Sequence, residues 1–128
     1  MTAIRAKNTK PEMIVRQGLH ARGLRYRLHK KGLPGTPDLV FARKRVALFV
    51  HGCFWHAHSG CRYFKLPKTN AEKWKAKLEG NRSRDERDQA ALKIHGWRVL
   101  VVWECEIRGR TRAEVEELLD QLATNIRT

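Results

Sequence analysis

The sequence predicts an α/β fold in which helices flank a β-sheet of mixed strand direction. Apolar runs at 46–50 and 98–103 have the length and the β-branched content of buried strands. Two Thr-x-x-Glu segments precede amphipathic stretches and are typical of helix N-termini. The elements follow in the order α-β-β-β-α-β-α, so a three-strand meander is joined by a helix to a fourth strand.

The first half of the chain supplies one helix and three strands. The segment 9–12, Thr-Lys-Pro-Glu, is a capping box that begins a helix, and Gly23 is a natural end for it. Alternating residues over 25–28 predict a short strand. Residues 38–41 and 46–50 predict a hairpin of two further strands.

The second half supplies a loop, a long helix, a strand and a final helix. The loop covers 51–64, and the helix covers 70–95 with Gly80 as a break within it. A central strand at 98–103 is followed by a second capping box at 111–114. Restriction-endonuclease-like nucleases share this element order, which is not diagnostic of them. The inward positions expected on the long helix are Trp74, Leu78, Ala91, Leu92 and Ile94.

Charge is distributed unevenly along the chain. The 128 residues carry a net charge of +14, and residues 1–71 hold 15 Lys and Arg against two acids, Glu12 and Asp38. Residues 72–128 are nearly balanced, with 12 basic and 11 acidic residues. A solvated basic surface is the simpler explanation, but the depletion of acids from one half favours a polyanion partner such as nucleic acid.

Composition excludes several classes of protein. A length of 128 residues fits a single domain, 1–128, and 41% hydrophobic residues argue against disorder. No apolar run approaches the ~20 residues that span a bilayer, and the N-terminus lacks the apolar stretch of a signal peptide. We therefore expect a cytoplasmic protein with no membrane partner. Metal or thiol chemistry is expected for the three cysteines, rather than disulfides.

Four residues have the spacing of a structural zinc site. Cys53, His58 and Cys61 form a Cys-x4-His-x2-Cys pattern, and Cys105 follows a distant strand. Cys3His is a common closed tetrahedral set, and this one uses every cysteine of the chain. The alternative is three free thiols beside an incidental His58. Spacing alone also allows His56 in place of His58.

The two acids of the basic half have separate explanations. An acid on a phosphate-binding surface repels the ligand unless a metal ion lies between them. Asp38 opens a strand after Pro-Gly-Thr-Pro, where its carboxylate can hold Mg²⁺ together with phosphate oxygens. A turn-closing role is the alternative for Asp38. For Glu12, the capping box favours a structural role over catalysis.

Histidines are the candidates for proton transfer. Many nucleases of this fold carry a Glu-x-Lys pair on the strand after the aspartate, but this chain has Leu-Phe-Val at 48–50 and then His51. A second metal ligand is then a main-chain carbonyl, for instance that of Val50. His51 and His56 titrate in the neutral range and are candidates for the proton work. Ordinary polar roles, or contacts to a zinc ligand, are the alternatives.

Large aromatic residues occur in otherwise polar surroundings. Phe54 and Trp55 are adjacent in the loop, and Trp74 lies near the beginning of the long helix. Such residues either pack beneath a loop or enter the stack of nucleic-acid bases, and the second use is the rarer one.

Several segments together point to one family. They are Leu-Pro-Gly-Thr-Pro-Asp at 33–38, Val-His-Gly-Cys-Phe-Trp-His at 50–56, Gly-Trp-Arg-Val-Leu at 96–100 and Val-Trp-Glu-Cys at 102–105. With these segments the chain resembles the very short patch repair (Vsr) DNA mismatch endonucleases over nearly its whole length. The His-Gly-Cys-Phe-Trp-His segment is highly specific.

The resemblance implies an enzyme that recognises a T:G mismatch in double-stranded DNA, left when 5-methylcytosine deaminates. Such an enzyme nicks the strand on the 5′ side of the thymine. The resemblance implies Mg²⁺ binding by Asp38 and the main-chain carbonyl of Val50. It implies that His56 acts on the attacking water, with His51 as a further active-site histidine.

Further roles follow from the same resemblance. It implies that Glu12 and Asp85 are acids associated with the active site, which weakens the purely structural explanation of Glu12. Residues 1–8 correspond to an N-terminal arm that contacts DNA in relatives, and because Met1 aligns with a point inside that arm, part of it is expected to be either missing or shorter here. The implied structural zinc ligands are Cys53, His58, Cys61 and Cys105, and the implied aromatic wedge is Phe54, Trp55 and Trp74.

The chain departs from some relatives in holding one more residue between His58 and Cys61. As a monomer it can nick one strand, and the resemblance suggests mismatch-repair proteins as partners and the bacterial nucleoid as its place of action.

Two other hypotheses stay open. One is a nuclease of the same fold that acts on other lesions or on intact sites. The other is a non-enzymatic, zinc-bearing DNA-binding module.

Overall fold

The computed structural model describes residues 9–128. The arm at 1–8 and its Met1, to which the resemblance assigns DNA contact, lie outside these residues. Across the described part, no helix combines the length and the apolar character needed to cross a membrane. The elements are α1 (Lys10–Ala21), β1 (Arg27–Leu28), β2 (Leu39–Phe41), β3 (Val46–His51), α2 (Ala71–Ile94), β4 (Arg98–Trp103), a 3-10 turn (Glu104–Glu106) and α3 (Arg112–Arg127).

The four strands form one mixed sheet in the order β1-β2-β3-β4. β2 pairs antiparallel with both β1 and β3. β3 pairs parallel with β4 over six residues, from Val46 opposite Arg98 to His51 opposite Trp103. Helix α2 makes the connection between these parallel strands. The predicted mixed sheet with flanking helices is confirmed.

Helices cover both faces of the sheet. Because side chains alternate along a strand, Leu48 of β3 faces α1 and α3, whereas Ala47 and Phe49 face the opposite way, toward Leu92 of α2. The larger cluster contains the buried apolar residues Val15, Leu19, Leu39, Phe41, Val46, Leu48, Val102, Ile107, Leu119, Leu122, Ala123 and Ile126.

Both predicted helix beginnings are present. Thr9 Oγ1 accepts a hydrogen bond from Glu12 N at 3.3 Å, with Pro11 in the first turn of α1. At α3, Thr111 and Glu114 exchange the two reciprocal bonds of a capping box. Gly23 follows the end of α1 with a φ of +86°, a value that suits glycine.

Several details of the prediction are wrong. α2 runs unbroken through Gly80, because this position is open to solvent and a glycine there weakens the helix without breaking it. Ile94 is 81% exposed. It lies two residues beyond buried Leu92, and a turn of about 200° carries it to the opposite side of the helix. β1 covers only Arg27–Leu28 and not the predicted 25–28, and it pairs with Leu39 and Val40 of the three-residue strand β2.

Candidate active site and metal centre

A pair of buried carboxylates lies where β2 begins, beside the N-terminus of α1. Asp38 directly precedes β2 and is 8% exposed, and Glu12 of α1 is 1% exposed. Asp38 Oδ2 accepts a hydrogen bond from Val50 N at 2.7 Å, which ties the carboxylate to β3. One ligand atom from each acid and one from His29 lie within 4.8 Å of one another. Glu12 therefore donates its backbone N–H to the Thr9 cap of α1, while its side chain lies beside Asp38.

The electrostatic environment of Asp38 is unfavourable for its charge. Burial raises the pKa of Asp38 to about 7, and the neighbouring Glu12 carboxylate acts in the same direction. The hydrogen bond from Val50 opposes this rise. A group that holds a proton so readily in an enclosed site is stabilised as a carboxylate when a cation binds beside it.

A second group of titratable side chains lies at the end of β3 and on α2. His56 Nδ1 is 2.5 Å from Asp85 Oδ2. The ring of His56 stacks on that of His51, with centroids 3.8 Å apart and planes at 3°. Because an ionised carboxylate can only accept, Asp85 fixes a proton on Nδ1 and leaves Nε2 of neutral His56 as the basic nitrogen. This is the arrangement of an oriented general base.

His51 is held neutral. Burial, and to a smaller extent the adjacent His56, lower its pKa to about 4 against the opposing effect of Asp85. Its Nδ1 atom is buried, and within residues 9–128 it has no hydrogen-bond partner. An unpartnered buried nitrogen is costly, so a water or a substrate atom is the expected partner.

One cavity joins the two groups. It has a volume of about 800 Å³, and its walls include Asp38, His29, His51, His56 and Asp85. The rim carries Lys31, and also Arg108, whose guanidinium stacks over Tyr63 at 4.3 Å. Carboxylates and an oriented histidine thus face one space that has cationic side chains at its edge.

The predicted Cys3His set comes together around one point. Ligand atoms of Cys53, His58, Cys61 and Cys105 lie within 4.8 Å of one another. His58, and not His56, joins the thiols. Cys105 Sγ lies 3.6 Å from His58 Nδ1, and tetrahedral zinc with bonds of ~2.3 Å to sulfur and ~2.0 Å to nitrogen separates such atoms by about 3.5 Å. Soft thiolates with one imidazole fit zinc, whereas the oxygens of Glu12 and Asp38 fit Mg²⁺.

The cysteine cluster positions the histidine site. His56 lies on the short loop between the cluster residues Cys53 and His58, which are joined by a bond from His58 N to Cys53 O at 2.9 Å. Ala57 takes a left-handed conformation at φ +50°. Glu104, after β4, accepts a bond from Cys53 N at 3.2 Å. A metal bound by the cluster therefore fixes the backbone on both sides of His56.

The aromatic residues form a cluster beside the cavity. Phe54 packs edge-on against Trp55 at 4.9 Å and against Trp74 at 5.6 Å, and all three are partly exposed. Lys77 Nζ lies 5.8 Å from both indole rings. Asn81, one turn further along α2, donates to Trp55 O at 3.0 Å. This face of α2 thus holds the loop that carries Phe54 and Trp55.

Sequence reasoning missed several residues of the site. His29, Asn81, Glu104, Tyr63 and Arg108 received no role, because each acquires its place through contacts distant in sequence. Asp85 entered through the resemblance alone, although an acid one helical turn after Asn81 faces the same loop.

A buried pair of carboxylates whose oxygens fit a divalent cation, an oriented histidine and a basic surface are together typical of metal-dependent nucleases. The sequence profile described as DNA mismatch endonuclease Vsr matches residues 1–62. The type II nicking enzyme V.XorIIP of Xanthomonas oryzae pv. oryzae is 54% identical over 122 residues, covering 94% of this chain and 89% of that protein. The DNA mismatch endonuclease Vsr of Escherichia coli is 43% identical over 122 residues, covering 95% of this chain and 78% of that protein. The type II nicking enzyme V.NmeAIP of Neisseria meningitidis is 39% identical over 127 residues, covering 99% of this chain and 89% of that protein. The chain belongs to the Vsr family of DNA endonucleases.

Proposed function

We propose that this enzyme is a Mg²⁺-dependent DNA mismatch endonuclease. It nicks one strand of double-stranded DNA on the 5′ side of the T in a T:G mismatch that arises from deaminated 5-methylcytosine, and so begins very short patch repair. The observation that carries the proposal is the shared cavity, which Asp38 and the His56–Asp85 pair line together, with Glu12 buried beside Asp38. Hydrolysis of a phosphodiester needs both a cation-binding group and a base.

The carboxylates hold the cation. Asp38 and the main-chain carbonyl of Val50 would hold Mg²⁺, and Glu12 would add negative charge beside them. When bound, such an ion would supply charge neutralisation at the scissile phosphate and at the leaving oxygen. The burial of both acids supports this assignment, because two adjacent carboxylates are costly to ionise without a cation.

The histidines handle the proton. His56 accepts a proton from the attacking water at Nε2, and Asp85 holds the ring in the tautomer that this requires. His51 stays neutral at pH 7, and its free Nδ1 is available to a water or a phosphate oxygen.

The remaining features bind and distort DNA. The Lys and Arg residues of the front half contact backbone phosphates, and the arm from Met1 extends this contact. Phe54, Trp55 and Trp74 form the wedge that enters the base stack beside the mismatch. A mispaired step is cheaper to unstack than a paired one by up to a few kcal/mol, which favours the mismatched site. Zinc bound by Cys53, His58, Cys61 and Cys105 holds the loop of the wedge.

We further propose the wider assignment of the chain. It is a single domain of restriction-endonuclease-like fold over 1–128 that acts as a monomer in the cytoplasm, on the DNA of the nucleoid. Mismatch-repair proteins are its proposed partners. The names of relatives such as V.XorIIP and V.NmeAIP, type II nicking enzymes, favour one alternative: a nuclease of this fold that acts on other lesions or on intact sites.

Nicking by single variants tests the assignment of residues. Asp38→Asn keeps the shape of the side chain but removes its charge, so we expect no measurable nicking. Asp85→Asn leaves His56 without its carboxylate, and a loss of about 10²–10⁴-fold in rate is expected. Glu79→Gln is the control, because Glu79 is exposed on the same helix and lines no wall of the cavity. Full Mg²⁺-dependent nicking by Asp38→Asn contradicts the proposal.

A further inference from the structure

His29 has no role in the chemistry described so far, yet it lies against both buried acids. It follows β1 and is opposite Asp38, and its backbone N–H donates to Asp38 O at 3.0 Å. This bond continues the β1–β2 ladder by one residue beyond the pair Leu28–Leu39. The position of His29 relative to Asp38 is therefore set by the sheet.

The side chain of His29 reaches the other acid. Its Nε2 is 2.7 Å from Glu12 Oε2, and the imidazole is 14% exposed against 1% for the Glu12 side chain. Arg16 Nη1 lies further from the same oxygen, at 3.4 Å. His29 thus links the Glu12 carboxylate of α1 to the strand end that carries Asp38.

The backbone of His29 is in an uncommon conformation. Its φ is +46°, in the left-handed region that residues other than glycine seldom adopt, although asparagine, aspartate and histidine are enriched there. The conformation combines the backbone bond to Asp38 with the side-chain bond to Glu12, and strained residues of this kind concentrate at functional sites.

We propose that His29 is a positioning residue, which holds the Glu12 carboxylate beside Asp38 so that its negative charge strengthens the binding of a divalent cation at Asp38. Two neighbouring carboxylates repel each other, and a mobile Glu12 side chain moves away from Asp38. A donor fixed at 2.7 Å prevents this movement before the cation arrives. The inference rests on the proposed cation site of Asp38 and adds a residue that sets its affinity.

Two substitutions distinguish the effect of side-chain length from that of the left-handed backbone conformation. Gln carries its side-chain nitrogen as many bonds from Cβ as the Nε2 of histidine, so His29→Gln keeps a donor near Glu12. Asn suits the left-handed backbone but is one bond shorter, so His29→Asn relieves strain and loses the contact. His95→Asn, at the exposed end of α2, is the matched control.

The measurement is Mn²⁺ binding to the zinc-loaded protein without DNA, by calorimetry, with the melting temperature of each variant taken in parallel. Mn²⁺ prefers oxygen ligands and leaves the thiolate site alone. We expect His29→Asn to bind Mn²⁺ about 10–100-fold more weakly, as is typical when a residue that orients a ligand is lost. His29→Gln and His95→Asn are expected to stay within about threefold of the unsubstituted protein.

Unchanged Mn²⁺ affinity in His29→Asn overturns the inference, and a lowered melting temperature with unchanged affinity assigns His29 a purely structural role. Equally weakened Mn²⁺ binding by His29→Gln also contradicts the positioning role, because a side-chain donor long enough to contact Glu12 then does not preserve the affinity. If the unsubstituted protein fails to bind Mn²⁺, the proposed cation site itself is wrong, and the inference falls with it.

Discussion

The surroundings of Asp38 lower the stability of the folded protein when this side chain is ionised. Its side chain is buried, bonded to Val50 N and close to Glu12, and burial is the main reason that its pKa rises to about 7. Without a bound cation, ionisation of Asp38 at neutral and alkaline pH therefore lowers the stability of the folded protein. Binding of the proposed cation would offset this cost.

Replacing Asp38 by Asn should stabilise the metal-free protein at high pH. The folded-state pKa lies above the unfolded value of about 3.8, so the native state of the original protein loses stability as pH rises through about 7. Asn keeps an acceptor for Val50 N and carries no charge. The gain in unfolding free energy is expected on the order of a few kcal/mol at pH 8.5, and it should be much smaller at pH 5.

Thermal melts of both zinc-loaded proteins without Mg²⁺, at the two pH values, measure this difference. Titration of the zinc ligands is common to both proteins and cancels in the comparison. A melting-temperature difference that does not grow with pH contradicts the account of Asp38.

Two glycines within helices have opposite surroundings. A Cβ at Gly18 of α1 would clash with Leu119 Cδ1 of α3, so the glycine permits close approach of these helices. A Cβ at Gly80 of α2 would meet nothing within 4 Å. The same substitution therefore has opposite expected effects at the two sites.

Gly18→Ala should destabilise the protein by about 1–3 kcal/mol, because Leu119 must move out of a packed core. Gly80→Ala should stabilise it by roughly 0.5–1 kcal/mol, since alanine favours the helix and clashes with nothing. Urea unfolding of the two variants measures both values. Equal effects at the two positions contradict this description of the α1–α3 contact.

The elements that local pattern determines are those that the sequence predicts well. The capping boxes at Thr9 and Thr111 gave two helix beginnings, and the apolar run at 98–103 gave β4. Periodicity placed Leu78 and Leu92 in the core but failed at Ile94, which lies on the side of α2 opposite to Leu92.

The candidate site was harder to predict from local sequence patterns. Spacing brought Cys53, His58 and Cys61 together but could not choose between His56 and His58. That choice depends on the fold of the loop, in which Ala57 turns His56 toward Asp85 and His58 toward Cys105. His29 gave no local signal, since both of its bonds join segments that are separate in sequence.

At the scale of the whole molecule, the cysteine cluster joins the loop after β3 to the turn after β4. Cys105 is the member of the cluster that makes this long-range connection, and His56, Phe54 and Trp55 lie on the loop that it joins to β4. Stability and activity should therefore respond together to loss of this metal.

Cys105→Ser should lower both zinc content and stability. A zinc site of this kind contributes to folding directly, so a loss of several kcal/mol is expected, with nicking reduced because the loop of His56 is released. Metal analysis, thermal melting and nicking measure the three quantities. Removal of Mg²⁺ alone is the contrast, because it should abolish nicking while the zinc content stays the same. Full stability of zinc-free Cys105→Ser contradicts a structural role for the cluster.

Strand-specific nicking of labelled duplexes is the most direct test of the proposed T:G mismatch endonuclease activity. T:G is placed in several methylation-site contexts, each with a matched C:G control, with and without Mg²⁺. An enzyme with this activity makes one Mg²⁺-dependent cut immediately 5′ of the mismatched T in at least one context, and it makes no cut in the C:G control. Equal cutting of the C:G duplex, or no cutting in any context by folded, zinc-loaded protein, contradicts it.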